Sequence, residues 1–368
     1  MKTMTRMPVC CLAALLLTSE AFPYGFFDNY GQVAGTVLPP PAAWAMAHCG
    51  TRALAGGGSF GIFSNPADLP AGDAFVLAAS GSLATWTTST QFDGFITSDR
   101  TVTDRSAGPA ALSLSGNAGA LSFGAGVARI SDFEYYGHVD VQDTTITGVY
   151  FVEGVERLDS DGDLWEAVAG VAGDPAAGIR VGASFGLRFG DGSSVATFFP
   201  VEALPPQIEE AEWSESAFCS HAGIQARKGS VLLAASMDSG SGRYPWRFNS
   251  GAQVEMDIMG GSILGAEFGM SRLDGRSSTG AEFFLETASI YSEAGRTVYS
   301  VGMMRPGDYA RAGLCGSFGQ RLHMGRTVLD MCVLWTSRIL NGSRLPILFI
   351  TEDSSNATYL CLALSTGL

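Results

Sequence analysis

From about residue 73 the chain alternates between an apolar residue and a small or polar one. The clearest window is 180–189. Val181, Ala183, Phe185, Leu187 and Phe189 take one face, and Arg180, Gly182, Ser184, Gly186 and Arg188 take the other. A repeat of two is the side-chain period of a strand. The pattern recurs in Leu121, Phe123, Ala125 and Val127, in Ala252, Val254, Met256 and Ile258, and in Leu264, Ala266, Phe268 and Met270. It returns in Ala310, Ala312, Leu314 and Phe318, and the chain closes on Leu360, Leu362, Leu364 and Leu368. Gly116-Asn117, Asp191-Gly192, Asp274-Gly275 and Asn341-Gly342 read as turn signals between strands. The strands are long enough to cross a bilayer at a tilt, which takes about 9–11 residues. Their second face carries Gly, Ser and charges, as a crowded wet lumen does. The expected fold is all-β: a transmembrane antiparallel barrel of about 14 strands.

The first residues follow another pattern. Lys2 and Arg6 precede a short apolar run from Val9 to Leu17, and Ser19-Glu20-Ala21 puts small residues where a signal peptidase cuts. Residues 1–21 read as a signal peptide cleaved near Ala21, 22–72 as an N-terminal segment, and 73–368 as the barrel. Ala42 to Leu54 reads as a short, slim helix, followed by Gly56-Gly57-Gly58 and then Asn65-Pro66-Ala67. Pro66 lacks an N–H donor and biases Asn65 away from helix, so the pair punctuates the chain where a strand from Ala74 begins. This partly helical segment is expected inside the lumen as a hatch.

Composition narrows the classes. Charged residues are 16% of the chain, against about 25% in ordinary soluble domains. Mean hydropathy is +0.18, yet beyond the leader no apolar run is long enough for a spanning helix. The net charge is −14 and the only lysines are Lys2 and Lys228, so there is no basic stripe and no nucleic-acid partner is expected. After the leader, cysteines stand at 49, 219, 315, 332 and 361. Their spacing suits neither a zinc site nor a compact disulfide framework, and at least one stays unpaired in a monomer.

Candidate chemistry is sparse. Asp159, Asp161, Asp163 and Glu166 imitate a calcium loop, but the glycine is misplaced and the last acid comes too early. They read as a solvated extracellular loop, and no metal or other cofactor is expected. Ser220 and His221 would point to opposite faces of a strand, and no serine stands beside His138 and Asp140. No enzyme is expected. Arg180, Arg188, Glu255, Asp257, Glu267 and Arg311 are candidate lumen-facing charges, read first as ion-pair ladders and second as substrate contacts.

Residues 50–69, GTRALAGGGSFGIFSNPADL, resemble the entrance signature of the FadL-like outer-membrane transporters of long-chain fatty acids, most of all the small FadL-like paralogues of spirochaetes. Arg52-Ala53, Gly56-Gly57, Asn65-Pro66-Ala67 and Leu69 carry the resemblance. It implies a 14-stranded barrel in the cell outer membrane with an N-terminal hatch. It also implies passive uptake of hydrophobic molecules such as long-chain fatty acids. The implied partners are that substrate, membrane lipid and the outer-membrane assembly machinery. The hatch and substrate path would involve Arg52, Gly57, Phe60, Ile62, Phe63, Asn65, Pro66 and Ala67. Phe60, Ile62 and Phe63 could touch an alkyl chain or merely pack on the wall. A barrel serving as surface antigen, adhesin or scaffold is the alternative.

Overall fold

The computed structural model describes residues 36–37, 41–50, 52–54, 58–72, 75–92, 98–132, 135–144, 150–200, 205–241, 244–256, 262–272, 284–304, 313–341 and 351–367. The leader, Gly57, Asp257, Arg311 and the Asp274-Gly275 turn signal lie outside them.

The strands in chain order are β1 (Thr36–Val37), β2 (Val76–Phe92), β3 (Ser98–Ala118), β4 (Leu121–Asp132), β5 (Tyr135–Thr144), β6 (Tyr150–Ala176), β7 (Ile179–Pro200) and β8 (Gln207–Lys228). They continue with β9 (Val231–Asp238), β10 (Trp246–Met256), β11 (Ser262–Arg272), β12 (Phe284–Ala294), β13 (Thr297–Met304), β14 (Gly313–Met324), β15 (Thr327–Asn341) and β16 (Thr351–Gly367). All pairings are antiparallel. β16 pairs with β2, and β4 pairs with β6. β5 continues the line of β4 along β6: Asp132 faces Asp163 and Tyr135 faces Ser160. With β4 and β5 counted as one interrupted strand and the two-residue β1 set apart, fourteen strands close into a barrel. Closure leaves no sheet edge for lipid to meet.

The outer surface explains the alternation. Phe185 and Phe218, stacked across β7 and β8, are 55% and 64% exposed. Val181, Leu187, Phe189, Val254, Leu264, Phe268, Leu314 and Phe318 are exposed on the same surface. So many exposed large apolar side chains need an apolar solvent, which a bilayer supplies. The intervening positions point inward and are small or polar: Ser113, Ser184, Ser236, Asn249 and Ser289 are all buried.

At one end the strands join through two-residue turns, with Gly119 (φ 63°) and Gly229 (φ 60°) in the left-handed region that spares glycine a steric penalty. The first turn thus falls at 119–120 rather than at Gly116-Asn117. Asp191-Gly192 is no turn at all but lies within β7. Likewise Asp159, Asp161, Asp163 and Glu166, expected in a loop, belong to the 27-residue β6. β6, β7 and β8 run well past a bilayer crossing, so residues composed like a loop are carried into a long hairpin wall.

One ladder is incomplete. β3 and β4 pair only from Ala111↔Ala128 to Ala118↔Leu121, although β3 continues up to Ser98. Pro109, just above the last pair, has no N–H to give. β1 takes the vacant edge of β4 at Ser131 and Asp132.

Candidate functional site: the inner segment and its clasps

The described residues between 41 and 70 lie inside the barrel and are almost all buried. The expected helix over Ala42–Leu54 shrinks to α1, Ala43–Met46. Cys49 (φ 60°) and Gly50 (φ 75°) turn left-handed and end it, and the chain then needs partners other than its own turns. Two 3-10 turns follow, Gly58–Phe63 and Pro66–Asp68.

Inward-facing wall residues supply those partners. Glu267 of β11 accepts three consecutive backbone N–H groups: Arg52 at 2.5 Å, Ala53 at 2.9 Å and Leu54 at 2.8 Å. Ser184 donates to Ile62 O at 2.8 Å, and Arg180 donates to the carbonyls of Ala67 and Leu69, each at 2.9 Å. Ser317 donates to Ala47 O at 2.7 Å. Asn65 caps the second turn by accepting from Ala67 N at 3.1 Å, and its amide donates to Ala53 O at 2.6 Å, tying the two halves together. Wall glycines make room. A Cβ on Gly223 would sit 1.8 Å from Asn65 Oδ1, and one on Gly182 would sit 2.4 Å from Pro66 C.

Above this layer runs a buried polar network. Arg188 Nε donates to Glu166 at 2.7 Å. His221 lies between Glu166 and Asp238, 2.8 Å from each, and Arg52 Nη1 is 3.7 Å from Asp238. The Arg188 guanidinium also stacks 4.0 Å from the Tyr244 ring centre. His221 therefore engages two carboxylates rather than Ser220. Glu166, Cys219 and His221 bring donor atoms within 4.8 Å of one another, the spacing of a metal site. Arg188 already supplies a cation to Glu166 there, so the set is filled as a hydrogen-bonded ion cluster.

The candidate residues fall into distinct places. Arg52, Asn65, Pro66, Ala67, Arg180 and Glu267 meet in the clasps, while Arg188 lies in the network above. Glu255 sits at the exposed rim, paired with Arg227 at 2.6 Å. Ile62 and Phe63 pack against the wall beside Gly124 and Gly126. Phe60 alone of the three lines a cavity of about 370 Å³. This cavity lies at the short-turn end, between the segment and β14, β15, β16 and β2. Trp44, Phe60, Val76, Ala78, Val328 and Ala363 make its apolar walls. Arg321 closes one side, bidentate on Asp330 at 2.7 and 2.9 Å and stacked 4.1 Å from the Trp44 ring centre. The sequence reading missed Trp44, Arg321, Asp330 and Asp238, and weighed His221 only as a catalytic group. Arg321 and Asp330 share a face only through the β14–β15 register, which a single sequence does not give.

No family model matches the chain, and no curated protein matches it in sequence. Solved structures do. The P. putida toluene transporter TodX superposes with a TM-score of 0.60 at 12% identity, over 90% of this chain and 99% of that one. A TodX monoaromatic hydrocarbon channel mutant, deltaS2, gives 0.62 at 12% identity over the same shares. The Ralstonia pickettii toluene transporter TbuX gives 0.54 at 12%, again over 90% and 99%. At such identities the likeness is one of fold, and the fold is a closed 14-stranded barrel.

Proposed function

We propose that the protein is an outer-membrane channel for passive uptake of small hydrophobic molecules, with residues 41–70 acting as its hatch. The carrying observation is the apolar cavity of about 370 Å³ between the segment and the wall at the short-turn end. In outer-membrane barrels that end faces the periplasm. The volume is near the low end of the roughly 300–1,000 Å³ of small-molecule sites. Charge supports a neutral cargo over a carboxylate. Arg52, Arg180, Arg188 and Arg321 each already have a carboxylate partner. A fatty-acid headgroup at Arg52, Arg188 or Arg321 would have to displace an acid that is buried or mostly buried and take its cation away. The solved toluene transporters of the same fold agree with a compact neutral cargo.

The test is uptake by cells whose own hydrophobic channels are deleted. Radiolabelled toluene should enter faster with this protein than without it, and Ala363→Phe, which fills the cavity, should remove most of the gain. Faster entry of palmitate alone would favour the fatty-acid reading. No gain for either would leave the antigen or scaffold role in its place.

A further inference from the structure

Five cysteines follow the leader, so a monomer can pair at most four. The structure sets one of them apart: Cys219, in β8, beside the His221 cluster. The other four gather around one side of the lumen, Cys49 on the inner segment, Cys315 on β14, Cys332 on β15 and Cys361 on β16, all buried. Cys332 and Cys361 are direct cross-strand neighbours. The Cys49 sulfur is 3.0 Å from Ser300 Oγ and 3.7 Å from Ser317 Oγ, and Cys315 is the neighbouring buried residue on the same face of β14, opposite Gly302 of β13, which has no side chain to intervene. The Cys49 N–H also donates to Ser317 Oγ at 3.3 Å, on the same face of β14 two residues along. Cys49 is the one non-glycine among the described residues with a positive φ. Such a conformation persists only where surroundings impose it. Here it sets the thiol of the segment against the inward face of β13 and β14 that carries Cys315. A shared soft-metal site does not account for the group, because among the described residues no three of these sulfurs come within reach of one ion.

We propose that Cys49 and Cys315 are joined by a disulfide in the exported protein, fixing the start of the inner segment to β14. The oxidant is a disulfide of the oxidising compartment the chain crosses, carried by a protein or a small molecule. The Cys49 thiolate attacks one sulfur of that disulfide and expels a thiolate. Cys315, as thiolate, then attacks the Cys49 sulfur of the mixed disulfide and expels the second. Two protons and two electrons leave the cysteine pair, and the oxidant departs as two thiols. Both sulfurs are sealed in the finished barrel, so the exchange belongs to assembly, before the segment is enclosed. The tether does not depend on what the barrel carries. It confines any opening to the part of the segment beyond Cys49 and excludes expulsion of the whole.

Trypsin sites make the bond readable. Cys49 lies in the peptide ending at Arg52 and Cys315 in residues 312–321. Cys332 and Cys361 fall in two further peptides, 327–338 and 345–368. Outer membranes are lysed in an alkylating agent, and the protein is denatured, digested without reductant and mapped by mass spectrometry. The expected result is a cross-linked species joining the Cys49 peptide to 312–321, which reductant splits and Cys315→Ser abolishes. Cys219 should carry the alkyl label. In planar bilayers, Cys315→Ser should lower the urea concentration at which the segment is released and conductance rises. Quantitative alkylation of both Cys49 and Cys315 in the unreduced sample would overturn the proposal, as would linkage of either to a different cysteine.

Discussion

Glu267→Ala is the most direct perturbation of the inner segment. The carboxylate receives the N–H groups of Arg52, Ala53 and Leu54, three donors in a row that have no helical turn to satisfy them. Hydrogen bonds to a charged group contribute about 1.5–3 kcal/mol each. They do not add fully, and water can enter the space left by the side chain, so a loss of about 4 kcal/mol is expected for the clasped state. At about 1.4 kcal/mol per tenfold, that enlarges the released population roughly a thousandfold. The β10–β11–β12 ladder uses only backbone groups, so the barrel should still fold and still shift on gels when boiled. Two readouts report on the segment itself: ion conductance in planar bilayers and tryptic cleavage after Arg52. Both should rise. Glu267→Gln should fall between, because its oxygen can serve one side while its NH2 meets an N–H donor on the other. A Glu267→Ala barrel that conducts like the wild type and resists cleavage at Arg52 would show that this clasp does not hold the segment.

Three further outcomes follow from the same geometry. Gly223→Val should displace the Asn65–Ala67 turn, since even a Cβ there sits 1.8 Å from Asn65 Oδ1, and raise conductance without loss of barrel; unchanged conductance would refute the close approach. Phe185→Arg puts a charge on the lipid face at a cost of about 2–4 kcal/mol, and folding yield into lipid should fall. Ser184→Arg should insert normally but lose the bond to Ile62 O and open the segment; equal yields for the two variants would contradict the assigned faces. His221→Phe leaves Glu166 and Asp238 without their shared donor and should cost about 1–3 kcal/mol in denaturant unfolding, whereas an unchanged midpoint would make the cluster energetically idle.

The barrel was legible because lipid on one side and a crowded lumen on the other impose a repeat of two on nearly every strand, and 180–189 displays it without interruption. Strand ends were less legible. Asp191-Gly192 and the acids at 159, 161 and 163 carry turn and loop composition, yet strands that run past the bilayer meet water on their outer ends and tolerate such residues, whereas Glu166 is buried in the ion cluster. The inner segment could be found, since Asn65-Pro66 and the glycines before it break the pattern. Its helix was overread because alanines at 42–47 favour helix locally, while the wall offers Ser317, Ser184 and Glu267 as better partners for the backbone. The residues that bind those partners stand hundreds of positions away. Arg52 and Glu267 each drew notice alone, but their pairing is a product of barrel closure.

The balance of forces inside the barrel also says how the segment can move. An apolar plug would be held by area, and sliding it would cost little until it left the wall. Here the wall's inner face is mostly small and polar, so discrete bonds to Glu267, Ser184, Arg180 and Ser317 add to the packing of Leu54, Ile62, Phe63 and Leu69 on the wall glycines. Each bond breaks over a short distance, and each broken carbonyl or N–H needs water or a new partner at once. The stretch beside the cavity is different. Trp44 and Phe60 face Val76, Val328 and Ala363 across open space rather than through hydrogen bonds. An apolar molecule entering there replaces apolar contacts in kind and leaves the clasps intact. On the proposed function, passage is then cheapest past the Gly58–Phe63 turn, where Phe60 faces β2 and β16, with the Glu267 clasp and the Cys49 end of the segment as the fixed points about which that turn yields.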